Sequence, residues 1–504
     1  MTTLPATRRP LATLLLTGAA LAGTALATPA HADESLATYL ARIAALNHVG
    51  PQLNAVVAVN PDAGRDAAAA AAMPGPLAGK VILVKDNIEV AGPMPTTAGS
   101  LALAGNVTGR DAPLVARLRA AGVVILGKTN LSEWANIRSS FSSSGWSAVG
   151  GQTRNPYATD RSPCGSSSGS GAGVAAGLAW AAIGTETDGS VTCPAAMNGL
   201  VGFKPTVGLV SRTHIVPISH SQDTAGPMTT SVHDAALLLT AMAGSDPADA
   251  ATATADRHKT DYVAALAGAS LKGVRLGILR KAVGDDAKVI ALFDRALADL
   301  KAAGAELVEL DYAFDPAMGR DENTVLNYEL RADLGSYLAG LPGPVSVRTL
   351  ADVIAFNRTH AAAEMRWFGQ DQFEAAEKTT DAAAYAKARA NSLRLAGKDG
   401  IDRLLATQHL ALLIAPTGGP AWPIDQVTGD HGLQLGAGSL PAVAGYPHLT
   451  VPMGAIEGLP VGLSFIGTAW DDARVLAAGA AYEAARTAPL AIPTLNTWRE
   501  SPIK

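Results

Sequence analysis

The run Gly165-Ser166-Ser167-Ser168-Gly169-Ser170-Gly171 is followed, about one helix later, by Gly184-Thr185-Glu186-Thr187-Asp188-Gly189-Ser190. Glycine and serine at this density usually make a flexible linker. Here the run leads straight into residues 172–183, an apolar Ala/Val/Leu/Trp segment that reads as a buried helix or strand. The serines are therefore held against a core. Hydroxyls fixed beside glycines, whose missing Cβ lets backbone N–H groups approach a ligand closely, suit nucleophilic acyl transfer. That chemistry needs a nucleophile, a proton relay and an oxyanion pocket.

Other chemistries fit less well. Gly165 to Gly169 matches a nucleophile elbow centred on Ser167, but an elbow needs a strand just before it, and the segment 156–163, bounded by prolines, is no strand. Gly171-Ala172-Gly173-Val174-Ala175-Ala176 matches a dinucleotide fingerprint with the same strand missing. No phosphate-binding loop is expected. The ten histidines are scattered without a His-Glu-x-x-His motif, so His214, His220 and His233 read as loop or surface residues. Neither metal nor cofactor is expected. A net charge of -5 with 16% charged residues leaves no basic surplus to attract nucleic acid.

The elements that must hold the serines alternate. Leu36, Tyr39, Leu40, Ile43 and Leu46 recur at helical spacing, 54–59 reads as a strand and 65–72 as an alanine-rich helix. After Pro74-Gly75-Pro76 comes the apolar run 81–84, closed by Lys85. On position alone, a lysine there is a solvated strand end. Residues 113–121 read as a helix with proline at its start, and 123–126 as a strand. Further on, 234–243 and 289–303 read as helices and 274–279 and 306–310 as strands, with a polar excursion at 245–272. The tail offers strands at 410–414, 449–452 and 461–466, and 199–227 is rich in turn formers. Helix and buried strand in alternation predict an α/β layer architecture. We expect one large domain over 33–504, with a mainly helical peripheral region at about 310–410.

Residues 1–32 read as an export signal: Arg8 and Arg9, an apolar run, then Ala30-His31-Ala32 as a cleavage site. A loose twin-arginine match accompanies it. The protein is thus expected to be exported, secreted or periplasmic, and off the membrane once the signal is removed. Its two cysteines, Cys164 and Cys193, flank the two serine clusters. A disulfide is permitted outside the cytosol, and two small buried thiols are an equal alternative.

Lys85-Asp86-Asn87, Pro163 to Gly169, Gly184 to Ser190 and Gly199-Leu200-Val201-Gly202-Phe203-Lys204-Pro205-Thr206 together resemble the amidase signature family. Pro452-Met453-Gly454 and Leu459-Pro460-Val461-Gly462-Leu463 are similar to its tail. The resemblance spans essentially the whole chain after residue 32. Within the family, the run from Gly184 through Ser221-Gln222-Asp223-Thr224-Ala225-Gly226-Pro227 most resembles bacterial peptide amidases, which remove the C-terminal amide of peptides. The resemblance implies a large mixed sheet covered by helices on both faces and a Ser-cis-Ser-Lys triad. Ser190 would be acylated, Ser166 would be the bridging serine in a cis peptide linkage, and Lys85 the base. The backbone N–H groups of Thr187, Asp188, Gly189 and Ser190 would form the oxyanion hole. The two serines stand 24 residues apart, which matches the family spacing.

A lysine can serve as base only when neutral. Bringing Lys85 from about 10.4 to near 7 requires roughly 4–5 kcal/mol against its charged form, which burial can supply. Alternation along the strand should turn Asp86 to the opposite face. The resemblance further implies a peptide amide or other small-molecule amide as substrate, and a monomer with no obligate protein partner. Rival readings are hydrolysis of small aliphatic or aryl amides, a glutaminase subunit of a transamidating complex, and an inactive binding scaffold. The pocket that separates the first two is expected from the 310–410 region.

Overall fold

The computed structural model describes residues 34–499, so the expected export signal and its cleavage site lie outside the described residues. Strands form at Val56–Val59 (β1), Val81–Lys85 (β2), Val124–Thr129 (β3), Trp146–Ser147 (β4), Gly151–Gln152 (β5), Ala181–Glu186 (β6), Val201–Lys204 (β7), Thr224–Thr229 (β8), Arg275–Leu279 (β9), Glu306–Leu310 (β10), Leu412–Pro416 (β11), His448–Ile456 (β12) and Leu459–Ile466 (β13). All but the small β4-β5 hairpin join one mixed sheet in the order β1-β3-β2-β6-β8-β7-β12-β13-β11-β9-β10. The sheet is mixed as expected. β2 runs parallel to both β3 and β6, while β6 pairs antiparallel with β8.

The sequence dictates which strands lie deepest. Val81-Ile82-Leu83-Val84 has no polar alternation, the mark of a strand covered on both faces, and every residue of β2 including Lys85 is buried. Segment 172–183 resolves into both of its possible readings. The helix Ser168–Ala175 is followed by a short turn and then β6. The glycines of that helix make it a packing device rather than a linker. A Cβ on Gly169 would lie 2.2 Å from Ala55 O and 2.6 Å from Asn130 O, so only glycine lets the helix start press onto the backbone beside β1 and β3.

Two strands escape sequence reading. β7 falls inside 199–227, where turn formers dominate, and β8 begins there. Pro227 argues against a strand, but the β7–β8 ladder runs only through Val201↔Thr229 and Gly202↔Met228, stopping one residue short of it. The octet 122–129 does carry the Gly-x4-Gly-Lys-Thr spacing of a phosphate-binding loop, contrary to the expectation that the chain lacks one. The structure puts Gly127, Lys128 and Thr129 inside β3, with Lys128 buried against Asp86. No loop is left there to cradle a phosphate.

Between β10 and β11 the chain is helical: Pro316–Ala339, Leu350–Thr359, Ala361–Glu364, Asp371–Lys378, Ala382–Leu393, a π-helical stretch Arg394–Asp402, and Arg403–Thr407. Asp315 caps the first helix through Ala317 N, and Thr349 with Asp352 forms a capping box on the second. Leu330, Leu334 and Leu338, spaced four apart, face Val353 and Phe373 in an apolar cluster of their own. Trp134 joins it, edge-on to Phe373 at 5.8 Å. This packing anchors the helical region to the segments that follow β2 and β3, at Ala98, Leu103 and Trp134. No helix among the described residues is long and apolar enough to cross a membrane.

Candidate active site

Lys85 closes β2 with 0% of its surface exposed. Its Nζ donates to Ser166 Oγ at 2.8 Å, Thr185 Oγ1 at 2.8 Å and Thr185 O at 3.2 Å. Asn87 Nδ2 also donates to Thr185 Oγ1, at 2.9 Å, which fixes that hydroxyl's position. Burial pushes Lys85 down to about 7, against a smaller upward pull from Asp223 and Glu186. Lys85 is thus no solvated strand end. Asp86 turns the other way, where its carboxylate meets Lys128 Nζ at 2.8 Å and accepts from Thr97 N and Thr97 Oγ1. A carboxylate already neutralised on the far face does little to hold a proton on Lys85.

The peptide bond Gly165-Ser166 is cis. Ser166 O accepts from Ser132 N at 3.0 Å, and Ser168 Oγ donates to Cys164 O at 2.7 Å. Ser190, 8% exposed, joins this segment through its backbone, since Ser167 N donates to Ser190 O at 3.2 Å. Cys164 and Cys193 form a disulfide with Cα atoms 6.0 Å apart. Of the two readings open for the cysteines, the bonded one holds, and it ties the residue before Gly165-Ser166 to the helix Thr192–Met197 that follows Ser190.

Loop 187–190 is built from both ends. The Glu186 carboxylate accepts from Val191 N at 2.8 Å, Thr192 N at 2.9 Å and Thr192 Oγ1 at 3.2 Å. Thr187 Oγ1 donates to Asp223 Oδ1 at 2.6 Å, and Asp223 Oδ2 in turn accepts from Ile218 N and Ser219 N. Burial pushes Asp223 up to about 6. The left-handed turn falls on Gly189 (φ 78°), so Asp188 does not need a glycine's freedom. The N–H groups of Asp188, Gly189 and Ser190 find no acceptor among the described residues. Three neighbouring free donors beside a serine hydroxyl can stabilise an oxyanion, and a neutral lysine bonded to a second hydroxyl can move its proton.

A cavity of about 460 Å³ opens against Asn87, Thr185 and Thr187. The helical region supplies Asp333, Ser336 and Tyr337 to its wall, but the stretch 212–224 supplies more. On its rim His220 Nδ1 lies 2.9 Å from Asp333 Oδ2, and Glu329 accepts from Ser219 Oγ, Ser221 Oγ and Tyr385 Oη. His220, Glu329 and Asp333 lie close enough together to gather round a cation, yet the Glu329 carboxylate is already taken by hydroxyl donors. His220 is half exposed, in a loop. Sequence reading missed Asp223, Gln222 and Glu322 as neighbours of the serine loop. Asp223 and Gln222 sit inside a run that carries the family resemblance, while nothing in the sequence marks Glu322.

The chain belongs to the amidase family, whose profile matches residues 34–476, and it is an amide-hydrolysing enzyme. Among solved structures it is similar to the native peptide amidase of Stenotrophomonas maltophilia, at 51% identity and TM-score 0.86 over 92% of this chain and 95% of that one. The peptide amidase bound to the competitive inhibitor chymostatin is equally similar, at 51% identity and TM-score 0.87 over 91% and 94% of the two chains. Curated relatives include a probable amidase of Arabidopsis thaliana, 38% identical over 89% of this chain and 85% of that protein. A glutamyl-tRNA(Gln) amidotransferase subunit from Mycobacteroides abscessus is 37% identical over 92% and 94%.

Proposed function

We propose that the protein hydrolyses the C-terminal carboxamide of peptides to acid and ammonia through an acyl-enzyme. Ser190 attacks the amide carbonyl while Lys85 draws its proton through Ser166. The N–H groups of Thr187, Asp188, Gly189 and Ser190 receive the oxyanion, and the relay returns the proton to departing ammonia. Water then repeats the sequence in reverse to free Ser190. One observation carries this reading: a fully buried lysine, held near pKa 7, lies 2.8 Å from the hydroxyl of a serine in a cis peptide linkage. Each oxyanion donor is worth about 3–4 kcal/mol in comparable sites.

The choice of peptide amides over other amides leans on the 51% identity to peptide amidases. Export through residues 1–32 belongs to the same proposal, as does action as a monomer. The amidotransferase relative at 37% identity keeps a glutaminase in view. The deciding experiment measures ammonia released from a C-terminally amidated dipeptide, from glutamine and from an aryl amide, with Ser190→Ala as the blank. We expect ammonia from the peptide amide, an intact internal peptide bond, and loss of activity in Ser190→Ala. Turnover of the small amides alone would keep the triad and overturn the substrate.

A further inference from the structure

Asp188 carries a side chain that the reaction above does not use. Asp188 is partly buried, and its carboxyl group is hydrogen-bonded to the carboxyl group of Glu322. Glu322 belongs to the helix Pro316–Ala339 and is itself 8% exposed. Two carboxyl groups in hydrogen-bond contact share one proton, because two buried like charges at that distance cannot both persist. Gln222 completes the arrangement, its Nε2 donating to Glu322 Oε1 at 2.8 Å and to Thr187 O at 3.3 Å. The peptide unit joining Thr187 to Asp188 is therefore gripped at its carbonyl and at the next side chain, and both grips lead to Glu322.

We propose that Glu322 is a positioning residue: the proton it shares with Asp188 fastens the helical region to loop 187–190 and keeps the N–H groups of Gly189 and Ser190 aimed at the oxyanion. This rests on the assignment of that loop as the oxyanion hole. The groups that face the pair are Glu186 at the end of β6, Lys204 at the end of β7, Gln222, and the Ser439 hydroxyl, which bonds Asp188. Burial, reinforced by the neighbouring carboxyl group, pushes both members of the pair up, Glu322 the further of the two, so the pair gives up its shared proton well above the usual carboxylate range. The shared proton is thus kept through neutral pH and lost under alkaline conditions. Once it is lost, the two carboxylates repel and the loop is released. Lys204, pushed down to about 8 by burial, loses its charge over the same range and adds to the repulsion.

The test is the pH profile of kcat and KM for ammonia release between pH 6 and 10 in wild type, Glu322→Gln and Glu322→Ala, with Ser190→Ala alongside. Glutamine can donate to the Asp188 carboxylate at every pH, so Glu322→Gln should keep kcat near pH 7.5 and lack the alkaline decline expected of wild type. Glu322→Ala should lower kcat about 10²-fold across the range with KM little changed, as expected for reacting groups displaced by a fraction of an ångström to an ångström. An alkaline decline that persists unchanged in Glu322→Gln overturns the proposal, and so does wild-type kcat in a folded Glu322→Ala. If Ser190→Ala remains active, it is the oxyanion-loop assignment that fails instead.

Discussion

The sharpest consequence of the site is the acid side of its pH–rate profile. With Lys85 at about 7, half of the free enzyme holds a neutral base at pH 7, about 9% at pH 6 and about 1% at pH 5. kcat/KM, which reports the free enzyme, should therefore fall close to tenfold per pH unit below 6. An unperturbed lysine at about 10.4 would be neutral in about one molecule in 2,500 at pH 7. Burial is thus worth a factor of about 10³ in active enzyme at that pH, or about 4–5 kcal/mol at 1.4 kcal/mol per unit. Glu186 pulls Lys85 upward, so Glu186→Gln should move the acid limb to lower pH. The amide oxygen of glutamine can keep the contacts to Val191 N, Thr192 N and Thr192 Oγ1, while its amide nitrogen takes the place of Oε1, which has no hydrogen-bond partner. The measurement is initial-rate ammonia release from pH 4.5 to 10 for both proteins. A limb centred above 9 in wild type, or one that moves upward in Glu186→Gln, would refute the reasoning.

Other outcomes follow from how the serines are held. The Cys164–Cys193 bond closes a loop of sequence separation 29, for which chain entropy gives about 3–4 kcal/mol of stability; Cys164→Ser/Cys193→Ser should show that loss in chemical denaturation and a lower kcat below its unfolding temperature. Gly169→Ala forces a Cβ to within 2.2 Å of Ala55 O and should cost at least the 1–3 kcal/mol typical of overpacking, read as a fall in thermal midpoint. Gly64→Ala, with nothing within 4 Å of the new Cβ in the helix Ala63–Ala70, should instead gain about 0.5–1 kcal/mol. A lower midpoint for Gly64→Ala than for wild type would contradict this reading of the glycines.

What the sequence makes legible follows the range of the forces involved. β2 and the helix Pro113–Ala120 are announced by local pattern, an uninterrupted apolar run and a proline at the helix start. The triad candidates sit in dense local motifs, and the fold brings Lys85 Nζ to 2.8 Å from Ser166 Oγ. β8 is illegible because Pro227 and Gly226 signal a turn, and only their neighbours settle the matter: a Cβ on Gly226 would lie 2.0 Å from Phe203 O, so the glycine marks where two strands press together. The Asp188–Glu322 pair is harder still to read. Its partners lie more than a hundred residues apart, and although Asp188 sits in a motif, nothing local marks Glu322. A carboxyl group on the helical region's longest helix gains meaning only once the fold has brought it against the serine loop and removed the water that would otherwise let both carboxylates ionise. The local motifs that bring Lys85 against Ser166 are therefore readable along the chain. The contacts that hold its loops in register depend on burial, which no stretch of sequence states by itself.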